Sequence, residues 1–156
     1  MTHEGRRLRV CLAASSGGHL EQLLRFASAF DGHEVVFVTT QALAQGDLTQ
    51  RGRTYVIGEC NREHPLRVAV VFRRCMEIAR RERFDIVAST GAAPGLLMCV
   101  AAKLGGAKVI WVDSIANVER LSLSGRLVRP IADLVLSQWE SVAHRYRGVE
   151  YVGAVI

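Results

Sequence analysis

The sequence predicts an open α/β domain, built on a doubly wound parallel sheet with helices on both faces. Short runs rich in Val, Ile and Leu recur along the chain, and segments with the apolar spacing of one helix face separate them. Runs that are apolar at every position are typical of parallel strands, which helices cover on both faces. The chain has 156 residues, 49% hydrophobic and 22% charged, which suits a single folded domain. We therefore expect one domain over 1–156, with a frayed terminus at 1–7.

The first part of the chain is predicted to run strand, helix, strand, loop, strand. Leu8–Ala14 is a short apolar run and predicts the first strand. His19–Phe30 has apolar residues at helical spacing. An Asp-Gly turn then opens the second strand, His33–Thr40. Gln41–Gly52 is polar and is predicted to be a loop with a short helix. Arg53–Glu59 is the third predicted strand.

The second part continues the alternation. Leu66–Arg83 is a helix candidate with arginines on one face, and Phe84–Thr90 is the next strand. A helix is predicted over Pro94–Gly106, with Pro at its start and Gly past its end, the usual asymmetry of helix termini. The remaining predicted elements are the strand Ala107–Ser114, a short amphipathic segment, the strand Asp133–Gln138, one or two helical turns at Glu140–Arg147, and a last strand at Val149–Ile156.

The charge balance favours anionic partners. The net charge is +5 and comes almost entirely from arginine, whose planar fork suits phosphate oxygens. Aromatic residues are only 6% and do not alternate with the arginines, which argues against nucleic acid. No run reaches the roughly 18–20 apolar residues of a membrane span, and no signal peptide is visible. We expect a cytoplasmic protein, either soluble or peripheral at a membrane. Cys11 and Cys99 lie in apolar runs and are interpreted as buried free thiols.

The first candidate binding loop is Ser15–His19, between the first strand and the first helix. Ligands of such sheets bind at the carboxyl ends of the strands. Gly17 and Gly18 let backbone N–H groups approach a ligand, and a helix start favours negative charge, so this loop can hold a diphosphate. It is neither a GxGxxG motif nor a P-loop, since no Lys follows. The alternative is a tight turn, with Ser16 as the helix N-cap and His19 in the first helical turn.

Two further loops are expected at the same edge. Thr90–Gly95 places small residues before a helix, which makes a second anion-favouring N-terminus or ordinary strand-to-helix packing. Asp113 and Ser114 end a strand, with Asn117 shortly after. A carboxylate at a strand tip can orient a sugar hydroxyl or act as a base, and it can equally cap the following turn.

Several function classes lack their motifs. No histidine pair has metal-ligand spacing, so we predict no metal site. The absence of a GxSxG elbow argues against a hydrolase. The second strand ends in Thr39 and Thr40 without an acidic residue, which argues against a stand-alone dinucleotide enzyme.

Taken in order, these loops resemble one family over essentially all of the chain from Arg9 to Ile156. The matching stretches are SSGGHL, STGA, VDSIANVERLSLSGRL, ADLVLSQWE and YVGAVI. They resemble the acceptor-binding, membrane-associating subunit of the two-part UDP-N-acetylglucosamine transferase of lipid-linked oligosaccharide synthesis, and its bacterial relatives in capsular and exopolysaccharide synthesis. More distantly, the chain is similar to the N-terminal half of the peptidoglycan N-acetylglucosaminyl transferase.

The resemblance implies a Rossmann-like half of a GT-B glycosyltransferase, whose other half is a separate UDP-sugar-binding chain. Together they would transfer a sugar, N-acetylglucosamine or a related hexose, to a polyprenyl-diphosphate-linked acceptor at the cytoplasmic membrane face. This chain would be inactive alone, and the chemistry needs no bound cofactor or metal. The resemblance marks His19 and Asp113 as catalytic candidates. Its acceptor- and phosphate-binding candidates are Ser16, Gly17, Gly18, Gly91, Ser114 and Asn117.

Two positions depart from the family pattern. Asp113 stands where the family usually has Glu, which retracts the carboxylate by about 1.5 Å. Asn117 stands where the polysaccharide-type relatives usually have Arg, a bidentate phosphate donor. These departures keep open a catalytically silent scaffold that recruits the partner subunit to the membrane. The Leu66–Arg83 helix is the first candidate for membrane contact, and its alternative is a helix that covers the sheet with a solvated Arg face.

Overall fold

Parallel strands form a single sheet in the part of the chain that the computed structural model describes, residues 5–42 and 48–154. The strands are β1 (Arg9–Ala13), β2 (Glu34–Thr39), β3 (Arg53–Val56), β4 (Ile86–Ser89), β5 (Lys108–Val112), β6 (Leu134–Ser137) and β7 (Val149–Tyr151). Their order across the sheet is β3-β2-β1-β4-β5-β6-β7, and all neighbouring pairs are parallel. The predicted doubly wound parallel sheet is confirmed.

Helices connect most of these strands. They are α1 (Gly18–Phe26), α2 (Pro65–Glu82), α3 (Ala92–Leu104), α4 (Leu123–Val128) and α5 (Glu140–Arg145).

Most predicted elements are present, with differences at their ends. The helix predicted over His19–Phe30 is α-helical to Phe26 and then tightens into a 3-10 turn. The last strand stops at Tyr151 rather than continuing to the terminus. Residues 43–47 of the predicted loop and short helix lie outside the described residues, as do 1–4 of the predicted frayed terminus and 155–156.

The strand order creates the crevice where the site lies. From β1 the chain moves outward to β2 and β3, and then returns to place β4 on the other side of β1. The loops after β1 and β4 therefore leave adjacent strands in opposite directions, which is the topological switch point where ligands bind in such sheets. Ala13 pairs with Ser89 at the ends of these strands, so the first two predicted loops begin side by side.

Two apolar layers cover the sheet because successive strand residues point to opposite faces. Cys11 and Ala13 belong to the larger core, while Val10 and Leu12 belong to the core under α1. Cys11 and Cys99 are buried free thiols, as predicted, and burial raises the pKa of both.

The face of the sheet under α1 is less completely covered at β6. Val135 points into the larger core, so Leu134 and Leu136 point to the opposite face. Both are only half-buried and belong to neither apolar layer. This part of the sheet leaves apolar surface that α1 does not reach.

Candidate functional site

The first loop leaves the start of α1 open. The helix begins after Gly17, whose φ of 92° lies in the left-handed region that favours glycine. No side chain caps α1, and the backbone N–H groups of Gly18, His19 and Leu20 find no acceptor within 5–42 and 48–154. Unpaired N–H groups and the helix dipole together attract anions. The start of α1 is therefore suited to a negatively charged ligand.

The N-cap of α1 is Gly17 and not Ser16, so that part of the alternative for the first loop is wrong, while His19 does lie in the first helical turn. The backbone N–H of Ser16 donates to Thr40 Oγ1 over 3.0 Å. Its hydroxyl lies 3.1 Å from Thr40 Oγ1 and 3.3 Å from Thr39 Oγ1. Thr40 in turn donates to the carboxylate of Glu59, beyond β3. Ser16 thus attaches the first loop to the ends of β2 and β3.

His19 joins the first loop to the second. Its Nδ1 lies 3.2 Å from the carbonyl oxygen of Thr90, whose hydroxyl donates to the His19 carbonyl over 2.5 Å. A carbonyl oxygen only accepts, so Nδ1 carries the proton in this contact and Nε2 is the basic nitrogen of the neutral ring. No described residue hydrogen-bonds Nε2. The half-buried ring therefore presents a free lone pair at the switch point.

The second loop has space for the His19 ring because Gly91 carries no side chain. A Cβ atom at Gly91 would lie 2.8 Å from Nδ1 and Cε1 of His19, and Gly91 has a φ of 139°. Ala92 follows with a φ of 65°, an uncommon conformation for a residue with a side chain. Strained backbone of this kind clusters at functional sites. Gly91 is therefore required for the close approach of His19.

Asp113 points into the protein. Its carboxylate is 1% exposed, and it accepts hydrogen bonds from Trp111 Nε1 (3.0 Å), Ser122 N (2.8 Å) and Ser122 Oγ (2.6 Å). Ser122 caps α4 by accepting from Gly125 N over 2.8 Å. A Cβ at Gly125 would lie 2.6 Å from Asp113 Oδ1, so this contact needs glycine. Both carboxylate oxygens have partners here, so Asp113 fixes Ser122, the N-cap of α4. The turn that directly follows Asp113 donates instead to Ser114 Oγ, from Ala116 N over 3.3 Å.

The third loop is tied to α1 by Gln22, a residue that the sequence reading missed. Gln22 Oε1 accepts from Ile115 N (3.2 Å) and Gln138 Nε2 (2.9 Å), and its amide donates to Ser114 Oγ over 3.4 Å. Gln22 lies three residues after His19 and shares its side of α1. One helix face therefore contacts both other loops. Two polar residues three positions apart in a predicted helix, His19 and Gln22, are the sequence pattern that could have indicated this contact face.

Asn117 lies apart from this network. Its backbone N–H donates to the Ser114 carbonyl over 3.0 Å, and the residue lines a surface depression of about 340 Å³ with Val118, Glu119 and Arg120. The structure thus brings together Ser16, Gly17, Gly18, His19, Gly91 and Ser114. The contacting residues that sequence reasoning missed are Gln22, Thr40, Glu59 and Gln138. Thr90 belongs to the second predicted loop, but its contact with His19 was not foreseen. No group of His, Cys, Asp or Glu side chains that could hold a metal occurs among the described residues.

The fold and its open switch point define the class of protein, a Rossmann-like half of the GT-B type. MurG of Acinetobacter baumannii superposes with a TM-score of 0.78 at 18% identity, over 93% of this chain and 45% of that one. The UDP-N-acetylglucosamine 2-epimerase of Rickettsia bellii gives 0.73 at 16% identity, over 96% and 46%. The chain thus spans about half the length of these solved structures, and at such identities the likeness concerns the fold.

The family follows from sequence. The family model described as "Oligosaccharide biosynthesis protein Alg14 like" matches residues 57–155, and the chain belongs to this family. The rat UDP-N-acetylglucosamine transferase subunit ALG14 is 26% identical over 180 aligned residues, covering 96% of this chain and 83% of that protein. The Yarrowia lipolytica protein of the same name is 29% identical over 110, covering 67% of this chain and 51% of its own length. The family resemblance seen in the sequence is confirmed.

Proposed function

We propose that this chain is the acceptor-side subunit of a two-chain glycosyltransferase. With a separate UDP-sugar-binding chain, it transfers a sugar, N-acetylglucosamine by the names of its relatives, to a polyprenyl-diphosphate-linked acceptor. The observation that carries this proposal is the open start of α1 beside the His19 ring at the switch point of the sheet.

The diphosphate of the acceptor binds at the start of α1. The unpaired N–H groups of Gly18, His19 and Leu20 donate to phosphate oxygens, and the helix dipole stabilises their charge without a metal ion. Gly17 and Gly18 carry no side chain, and no neighbouring atom lies within 4 Å of where a Cβ would be, so a ligand can approach their backbone closely. This binding mode assigns both glycines the role predicted from the sequence.

His19 is the proposed base. The hydroxyl oxygen of the acceptor sugar attacks the anomeric carbon of the donor sugar as the bond to UDP breaks, and Nε2 takes the hydroxyl proton. Thr90 holds the proton on Nδ1 and so keeps Nε2 available. Asp113 acts as a positioning residue, since its partners fix Ser122 and α4 rather than a ligand. Ser114, which Gln22 ties to α1, and Asn117, in the surface depression nearby, are the further proposed contacts of the acceptor.

The partner chain completes the site. The switch point is open in this chain, and the half-buried Leu134 and Leu136 leave an apolar strip on the α1 face of the sheet. We assign this strip to contact with the partner, because burial of such side chains stabilises association.

Membrane contact is assigned to the first turns of α2. Leu66 is 84% exposed and Val70 is 51% exposed, with Arg67 and Arg74 beside them. Apolar side chains flanked by arginines suit the surface of an anionic bilayer. The rest of α2 packs on the sheet through residues such as Cys75 and Ile78, which supports the alternative of a helix that covers the sheet for that part. No helix among the described residues is long and apolar enough to cross a membrane.

The test is a transfer assay with purified chains. We expect turnover only when this chain and its UDP-sugar-binding partner are combined, and a loss in kcat of about 10²–10⁴-fold for His19→Ala. His144→Ala is the matched control, because His144 is exposed on α5. Full activity of this chain alone refutes the two-chain proposal. Unchanged turnover of the His19→Ala complex, with membrane recruitment intact, favours the silent scaffold instead.

A further inference from the structure

A chain of hydrogen bonds runs from Glu59 to the diphosphate loop. Glu59 follows β3, Thr40 follows β2, and Ser16 follows β1, so neighbouring strands bring the three residues together. Thr40 is at the centre: its hydroxyl contacts the Glu59 carboxylate, Ser16 N at 3.0 Å and Ser16 Oγ at 3.1 Å. Neither Thr40 nor Glu59 belongs to the machinery assigned above.

The Glu59 carboxylate determines which group donates in each of these three hydrogen bonds. A threonine hydroxyl has one proton and two lone pairs, whereas a carboxylate only accepts. Thr40 therefore donates its proton to Glu59, and its lone pairs accept from Ser16 N and from Ser16 Oγ. The Ser16 proton is thus directed at Thr40.

Thr39 uses a further site on the serine. Its side chain is fully buried, and its hydroxyl lies 3.3 Å from Ser16 Oγ. Because a buried hydroxyl proton needs an acceptor, Thr39 donates to Ser16. Ser16 Oγ then has no proton to offer and one lone pair left, on a residue that is only partly buried.

We propose that Glu59 is a specificity-determining residue, which acts through Thr40 to make Ser16 a hydrogen-bond acceptor for a hydroxyl or amide N–H of the acceptor sugar. This rests on the proposed function, and it reassigns Ser16 from phosphate to sugar. Phosphate oxygens only accept and cannot bind a group without a proton. They are left to the backbone N–H groups at the start of α1.

The first test separates sugar from phosphate. Binding of the full chain is measured by titration calorimetry with two probes, inorganic pyrophosphate and a short-alkyl N-acetylglucosaminyl diphosphate. We expect Ser16→Ala to weaken the affinity for the glycosyl probe by about two- to tenfold, the range for one neutral hydrogen bond. The affinity for pyrophosphate should stay within about twofold of wild type. An equal loss for both probes overturns the proposal, since it would make Ser16 a phosphate donor.

The second test reverses the direction of the hydrogen bonds between Thr40 and its neighbours. In Glu59→Lys an ammonium group donates to Thr40, whose proton then turns to Ser16 and frees the serine proton for phosphate. The preference for the glycosyl probe over pyrophosphate falls by about two- to tenfold. Glu63→Lys is the control, because it makes the same charge change on an exposed carboxylate that bonds no described residue.

The outcomes are distinguishable. If Glu59→Lys and Glu63→Lys change the preference equally, only the charge matters and the role of Glu59 is refuted while the proposed function stands. If the wild-type chain binds neither probe, alone or with its partner, the proposed function fails and this inference fails with it. Thermal unfolding of each variant is measured to check that the fold is retained.

Discussion

Replacing Glu82 at the end of α2 removes a charge from a buried cluster on the opposite edge of the sheet. The carboxylate is 1% exposed and accepts from Arg53 Nη1 at 2.7 and 2.9 Å and from the Tyr55 hydroxyl. Arg9 lies 3.9 Å away and also donates to the Glu82 carbonyl. The cluster connects α2 to the first residues of β1 and β3.

The structure sets the size of the effect. Glu82 is buried, whereas Arg53 is 57% exposed and can regain water, so the cost of Glu82→Ala comes from the lost charge-assisted hydrogen bonds of Arg53 and Tyr55 and should be about 3 kcal/mol. Glu82→Gln keeps acceptors for both donors but loses the charge, and about 1–2 kcal/mol is expected. Glu77→Gln on the same helix is the control, since its pair with Arg73 is exposed and contributes about 0.5 kcal/mol or less.

The effect depends on pH with a definite sign. Burial raises the pKa of Glu82, but hydrogen bonds from Tyr55 and Arg53 and the nearby guanidinium charges outweigh it, so the pKa is lowered. A carboxyl with a lowered folded-state pKa contributes its full stability above the pKa of the unfolded chain and loses it as the pH falls. The difference in the free energy of unfolding between wild type and Glu82→Gln should therefore be constant near neutrality and shrink below about pH 4.5.

Urea unfolding followed by the fluorescence of the buried Trp111 measures the free energy of unfolding. In thermal scans, Glu82→Ala should lower Tm by about 6–12 °C for a chain of this size. A Glu82→Gln variant as stable as wild type at pH 7 would refute the reasoning. A gap that stays constant between pH 6 and pH 3.5 would refute the pH argument alone.

Two more predictions concern the site and the membrane. Gly91→Ala introduces a Cβ 2.8 Å from the His19 ring at a φ of 139°, so we expect about 1–3 kcal/mol of lost stability and reduced kcat in the two-chain assay. An unchanged kcat would show that the position of His19 is not needed. Leu66→Glu removes an 84% exposed apolar side chain, and flotation with phosphatidylglycerol vesicles should fall several-fold while Tm stays within about 2 °C. Leu104→Glu is its control, 68% exposed at the end of α3, and equal losses in both variants would contradict a role specific to α2.

Local patterns account for much that the sequence predicted correctly. Apolar runs and helical spacing depend on residues within one element, so the strands and the main helices could be recognised without knowing their neighbours. Gly17 and Gly91 stand in turns before helices, and both adopt the positive φ that such turns favour in glycine. The orientation of Asp113 could also have been predicted locally. It lies two residues after the buried Trp111 and therefore shares its inward-facing side of the strand.

The sequence by itself determined the class of fold, the glycine-rich start of α1 and the family, because these depend on local periodicity and on motifs in order. Only the tertiary structure decided which polar groups meet. Gln22, Thr40, Glu59 and Thr90 contact residues 19 to 116 positions away, and strand order rather than chain proximity places them together. The direction of the bonds from Glu59 to Ser16 depends on that meeting, since a hydroxyl donates or accepts according to the neighbour that the fold supplies.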